Sequence, residues 1–245
     1  MKTEDLLGLA IPVTYLLMYA AERIWPARKF PKVGWWGAVG AAFLVLMMSI
    51  GVVAPMLIPV EFLAEHRVLE GTRLGVLGGA LLGFVAIEFV VYAYHRACHN
   101  SSFLWRALHQ MHHAPSRIDM PSAVVFHPLE LAVQNSLAIL FLVFVLGLDP
   151  LAVAWVSFGL AFCTLFQHWN VRTPRWLGYV IQRPEAHCHH HEFKVHASNY
   201  ADLPLIDVLF GTYKNPKEFS GEVGFGGRPS YKKMLFGVDV SGAAS

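Results

Sequence analysis

Apolar residues run along this chain in long uninterrupted windows, without the alternation of half-buried strands, so the pattern predicts helices throughout. No charged residue occurs from Val33 to Val60, and Glu88 is the one charge from Leu74 to Tyr94. Each window exceeds the roughly 20 residues a helix needs to cross a bilayer. Leu131 to Leu148 and Leu151 to Val171 are also uncharged, and only Asp149-Pro150 separates them, which predicts a tight helical hairpin. Leu6 to Ala21 is a shorter fifth window, roughly 24 Å of helix at about 1.5 Å per residue. Glu4 and Asp5 precede it and Lys2 is the only basic residue there, so it reads as a first membrane helix and not as a signal peptide. The expected fold is all-α, a multi-pass membrane bundle of four to five transmembrane helices.

Composition supports that reading. Of 245 residues, 55% are hydrophobic and 15% charged, and the mean hydropathy is +0.45, which excludes an ordinary soluble, disordered or nucleic-acid-binding protein. The net charge of +2 points to no particular partner. Cys98, Cys163 and Cys188 are an odd count without paired spacing, so neither a disulfide framework nor an iron-sulfur motif is indicated. Charge placement changes the picture more than charge number. Short loops rich in Lys and Arg stay in the cytoplasm. Arg23, Arg28, Lys29 and Lys32 follow the first window and Arg96, Arg106 and Arg117 the third, whereas the opposite side has Lys2, Arg67 and Arg73. The expected topology is N-terminus outside and C-terminus inside, with a bacterial inner membrane as the expected setting.

Histidine carries the candidate chemistry. Twelve of thirteen fall between His95 and His196, and the topology puts all twelve at or beyond the cytoplasmic face, leaving His66 outside. His95 and His99 close the third helix at i, i+4, one turn apart on one face. His109 with His112 and His113, and His187 with His190 and His191, repeat one pattern of a histidine, two residues and a histidine pair. His168 ends the fifth helix. These nine imidazoles exceed what one tetrahedral zinc uses, and they suit two metals that keep positions open for oxygen. His127 is a tenth candidate ligand, although a lone His127 or His196 is more often hydrogen-bonded or solvated. His189 would point away from its neighbours on a helix and is not expected to bind metal.

At these residues the chain resembles the fatty acid hydroxylase and sterol desaturase superfamily of integral-membrane, non-haem di-iron enzymes. The resemblance rests on the three histidine boxes, Tyr94-His95-Arg96, Phe126-His127-Pro128-Leu129-Glu130, Gln167-His168-Trp169-Asn170, and Asn199-Tyr200 leading to Asp207-Val-Leu-Phe-Gly-Thr-Tyr213. It covers roughly Leu81 to Pro216. Glu88 stands where the family usually has aspartate, Ala201 replaces a glycine and Ile206 a tryptophan; none of these removes a metal ligand. The domain organisation expected is membrane helices and an outer loop over 1–73, a di-iron domain with a cytoplasmic histidine-rich cap over 74–216, and a polar tail over 217–245.

A carboxylate inside a membrane span is costly and usually functional. Glu88 lies seven residues before His95, two turns down the same face, and is expected to accept the free ring N–H of a ligand histidine, fixing its tautomer, with a protonated Glu88 bonded to another helix as the alternative. Glu130 is given the same role, with a helix-dipole charge as its alternative. The resemblance implies two iron ions and dioxygen as co-substrate, with hydroxylation or desaturation of a lipid from the bilayer. No dinucleotide fingerprint or cysteine cluster is present, so electrons are expected from an external reductase with a ferredoxin or cytochrome-type carrier. Arg172, Arg175, Arg183 and Lys194 are candidates to dock it. A zinc-dependent membrane hydrolase and a metal-transporting membrane protein are the rival classes. The first lacks an HExxH motif, since position 195 is valine. The second needs ligands along a mid-membrane path.

Overall fold

Five helices long and apolar enough to cross a bilayer carry the fold. The structure is a computed structural model and describes residues 2–226 and 229–242, so parts of the polar tail, 227–228 and 243–245, lie outside the described residues. The spanning helices are α1 (Thr3–Ile24), α2 (Trp36–Met56), α3 (Gly75–Asn100), α4 (Pro128–Ile139, continued by π-helical turns to Val145) and α5 (Pro150–His168). Two short helices matter for the site, α6 (Pro184–His190) and α7 (Pro204–Leu209). The all-helical expectation and the order of the spans hold.

The first span is longer than its apolar window. Thr3, Glu4 and Asp5 join the first turn, where acidic side chains suit the helix dipole. Glu22 joins the last turns because it has buried work there: its carboxylate accepts from Met120 N at 3.0 and 3.1 Å and from Asn170 N at 3.2 Å. That contact fastens α1 to two loops at the histidine end of the bundle. The hairpin between α4 and α5 turns at Gly147, whose φ is +61°. Asp149 then caps Leu151 N at 2.9 Å, with Pro150 opening the helix. Residues 68–72 lie against this turn and donate to the carbonyls of Phe144, Val145, Leu146 and Gly147.

The chain therefore has two distinct ends. The N-terminus, residues 57–74 and the α4–α5 turn share one. The α1–α2 loop, residues 101–127 and everything after α5 share the other, where Ala27 N meets Asn170 O at 2.9 Å and Arg28 meets Glu185 at 3.3 Å. At the far end α3, the π-helical end of α4 and α5 converge on Ile87, Leu142, Leu148, Ala152 and Val156. Gly83 permits that approach, since a Cβ there would stand 2.6 Å from Leu148 Cδ1. Toward the histidine end α4 leans on α2, while α3 and α5 stay together. A space opens between them.

Removing Glu22 tests the α1 attachment. Glu22→Ala leaves two buried N–H donors unpaired, at about 1–3 kcal/mol each. Thermal unfolding in detergent is expected to move down markedly for Glu22→Ala and much less for Glu22→Gln, which keeps an acceptor oxygen.

Candidate metal centre

Helix geometry alone lets one turn serve two metals. Residues four apart on a helix lie about 40° from each other around the axis, and residues three apart about 60° the other way, so the paired histidines of a box diverge by about 100°. Among the described residues two groups form: His95, His99, His109, His113 and His190, and His112, His168, His187 and His191. In each group the candidate ligand atoms all lie within 4.8 Å of one another. Every i, i+4 pair stays within one group, and His112 and His190, offset by three, cross to the other. The groups touch where His113 and His191 stack at 4.0 Å. All nine imidazoles expected to bind metal are thus brought together.

The outer Nδ1 is held in six of them, whereas those of His187 and His191 are buried without a hydrogen-bond partner. His95 donates from Nδ1 to Tyr200 O (2.8 Å), His190 to Ser198 O (2.6 Å), His168 to Thr164 O (2.8 Å) and His112 to Val125 O (3.3 Å). His109 Nδ1 meets Glu130 Oε1 at 2.6 Å, and His113 Nδ1 lies 3.1 Å from His196 Nδ1. Holding Nδ1 fixes the tautomer and turns Nε2 inward. The Nε2 atoms of His95, His99 and His190 are buried with no hydrogen-bond partner. Elsewhere in the groups Nε2 atoms stand 3.0–3.3 Å apart. Neighbouring ligands on one ion at bonds of about 2.1 Å are separated by about 3.0–3.4 Å, so the donor sets fit two metal ions. Burial first, and neighbouring imidazoles second, hold His112, His113, His187, His190 and His191 well below the ordinary histidine pKa. They are neutral, as ligands must be.

Several expectations need correction. Glu88 meets no imidazole: its Oε2 accepts from the backbone of Asp202 (2.8 Å) and Leu203 (3.1 Å), because residues 200–212 lie along α3 at its level. His127 belongs to neither group. It caps α4, with Nδ1 accepting from Leu129 N at 3.1 Å. Arg183 cannot dock a carrier, being 1% exposed and held by Thr173, Asn215, Pro216 and Glu185. Arg172, Arg175 and Lys194 are exposed. Glu130 is buried at the first turn of α4, where Gln134 and Tyr94 also donate to it. His189 turns outward to Glu192 and His66 stacks on Phe62 at the far end. The carbonyls that hold four of the imidazoles went unseen in the sequence, since every residue carries one.

A cavity of about 150 Å³ lies against the groups. His95, His109, His112, His168 and His187 form one end, and Ile87, Val90, Leu137, Ala138 and Leu160 its apolar walls. These walls come from α3, α4 and α5, in the space left where α4 leans away.

A family model described as fatty acid hydroxylase matches residues 80–212. The chain is 33% identical over 155 residues to ornithine lipid hydroxylase OlsE of Rhizobium tropici, covering 60% of this chain and 46% of that protein. It is 30% identical over 156 residues to very-long-chain aldehyde decarbonylase GL1-7 of Oryza sativa subsp. japonica, covering 56% of this chain and 23% of that one. The chain therefore spans less than half the length of these curated relatives. No solved structure matches.

Two outcomes are expected. Metal per chain, measured on purified variants, falls in His112→Ala and His190→Ala and is unchanged in His66→Ala and His127→Ala, while Glu130→Gln weakens metal affinity by about 10-fold to 100-fold. Acid should destabilise the metal-free protein. Well above pH 6.5 the rings with lowered pKa are neutral whether folded or unfolded; below it the unfolded chain takes up protons that these buried rings, such as His196 at about 4, refuse. Melting temperature in detergent should therefore fall as pH drops from about 6.5 toward 4.

Proposed function

The chain belongs to the fatty acid hydroxylase family, and from that premise we propose that it is a non-haem di-iron enzyme that uses dioxygen to hydroxylate a lipid drawn from the bilayer. The observation that carries this reading is the gathering of nine imidazoles, seven buried and two partly buried, in two groups against a largely apolar cavity between spanning helices. Iron held by histidines supplies dioxygen binding and one-electron redox chemistry. The relative named for hydroxylation of ornithine lipids favours hydroxylation over desaturation. The balance is one C–H bond, one dioxygen, two electrons and two protons giving one C–OH and one water. Removal of two hydrogens uses the same electrons and releases two waters.

The chain's own residues bind, orient and exclude. Ile87, Val90, Leu137 and Leu160 hold a hydrocarbon segment and keep bulk water from the histidine end of the cavity. Backbone carbonyls and Glu130 fix the imidazoles before substrate arrives. The rival classes have less support. Both groups consist of imidazoles alone, without the carboxylate base a zinc hydrolase employs, and they sit together at one end instead of along a path across the membrane.

The histidine end faces the cytoplasm in this proposal, since seven Lys and Arg occupy the short loops at that end against three at the other. Electrons come from a separate reductase and an acidic ferredoxin or cytochrome, docking near Arg172, Arg175 and Lys194. Membranes holding the protein, given isotopically heavy dioxygen, reductase and carrier, should yield a lipid bearing one heavy oxygen. NADPH alone should give none. A product short of two hydrogens would establish desaturation instead, and turnover with NADPH alone would refute the separate donor.

A further inference from the structure

Glu88 is buried on α3 and bound to backbone amides that come from more than a hundred residues later. Its depth can be read from α3 itself. That helix has 26 residues, about 39 Å at about 1.5 Å per residue, against a hydrocarbon core of about 30 Å. Arg96 is the first charged residue after Glu88 and is exposed. Glu88 lies eight residues deeper than Arg96, about 12 Å along the axis. The amides of Asp202 and Leu203, at 2.8 and 3.1 Å from Glu88 Oε2, share that depth.

The segment on either side runs down α3 and back up. Tyr200 O is at the level of His95, 2.8 Å from its Nδ1. Residues 202–203 are at Glu88. Phe210 returns to stack on Tyr92 at 4.7 Å and 17°, and Thr212 Oγ1 lies 3.2 Å from Tyr92 OH. We propose that residues 200–212 form a re-entrant element whose helix α7 dips into the bilayer beside α3 and presents its outer face to lipid acyl chains, with Glu88 as its anchor.

Non-helical backbone survives at membrane depth only when its polar groups are satisfied within the protein. Here they are, by two buried carboxylates. Glu88 takes the amides of Asp202 and Leu203, and Asp207 takes those of Tyr200 and Ala201, both at 2.9 Å. Pro204 has no N–H to satisfy. Thr212 N donates to Asp207 O at 2.8 Å and Asn199 N to Thr212 O at 3.0 Å, closing the loop at its neck. The inward face of α7 is polar or sealed, with Ile206 and Asp207 both 0% exposed. Its outward face is Leu205, Val208, Leu209 and Phe210, 51–63% exposed. This surface continues the bare apolar stripe of α3 at Leu81, Val85 and Phe89, which only lipid covers in a spanning helix. Tyr200 and Asp202 also line the cavity, so lipid touches the outer side of a wall whose inner side faces the site. The inference rests on α3 spanning the bilayer and is independent of the reaction.

The test uses a fluorophore on an introduced cysteine, since Cys98, Cys163 and Cys188 are buried and unsubstituted protein gives the background label. Leu209→Cys, Leu81→Cys as a lipid-facing control and Glu218→Cys as an aqueous control are reconstituted with full metal into vesicles of zwitterionic and anionic phospholipid. Quenching is measured with nitroxide on the acyl chains and with aqueous iodide. Position 209 should be quenched by acyl-chain nitroxide as position 81 is, and by iodide about tenfold less than position 218, because an ion is excluded from hydrocarbon. Iodide quenching at 209 equal to that at 218 would overturn the proposal. So would protection from both quenchers, the result if a second copy or another part of the chain covers the face. Glu88→Ala should raise iodide quenching at 209 while leaving 81 unchanged, and Glu88→Gln, which keeps an acceptor oxygen, should not; equal behaviour of the two variants would remove Glu88 as the anchor.

Discussion

A buried imidazole without a proton partner on one side and an electron-pair acceptor on the other is a liability, and this protein gathers nine imidazoles, seven of them buried, within one small volume. The surroundings hold the outer nitrogen of six of the rings, and those of His187 and His191 stay unpartnered. Carbonyls of Val125, Thr164, Ser198 and Tyr200, together with Glu130, take the outer N–H groups. Rings so buried and so close resist protonation, and the lowered pKa values of His112 and His190 follow from burial first and from crowding second. Metal is the partner that satisfies the inner nitrogens and removes the cost of leaving them bare.

That requirement determines how the bundle is arranged. Glu22 ties α1 to Met120 and Asn170, so the loop before α4 and the segment after α5 are held where their carbonyls are needed. Glu88 and Asp207 do the same for residues 200–203, which bring Tyr200 O to His95. Glu22, Glu88, Glu130 and Asp207 thus share one task, the satisfaction of backbone amides or an imidazole near the groups. At the opposite end the contacts are apolar and close, through Gly83, Leu142 and Val156. The cavity exists because α4 belongs to both regimes, converging with α3 and α5 at one end and leaning on α2 at the other.

Much of this was legible in the residues. Uncharged windows mark spanning helices because the bilayer penalises charge, and i, i+4 and i, i+3 spacings place histidines because helix geometry is rigid. The sequence also separated His189 and His66 from the rest. Its misreadings share a cause. Glu88 sits on the correct face of α3 to reach His95, but a segment more than a hundred residues away reaches it first. His127 has the chemistry of a ligand and the position of a helix cap. Arg183 carries a docking charge and spends it on Thr173 and Asn215. For Glu88 and Arg183 residue type was right and a partner distant in sequence decided the role; for His127 the nearby amide of Leu129 did.

That the two groups are two metal sites of unequal ligand number is open to direct test. Iron content together with Mössbauer spectra of protein purified from cells grown on enriched iron addresses it most directly. Two irons per chain in two distinguishable environments are expected, both lost in His113→Ala, whose ring bonds into one group and stacks on the other. A single zinc per chain, or one iron environment that survives loss of His113, would contradict it.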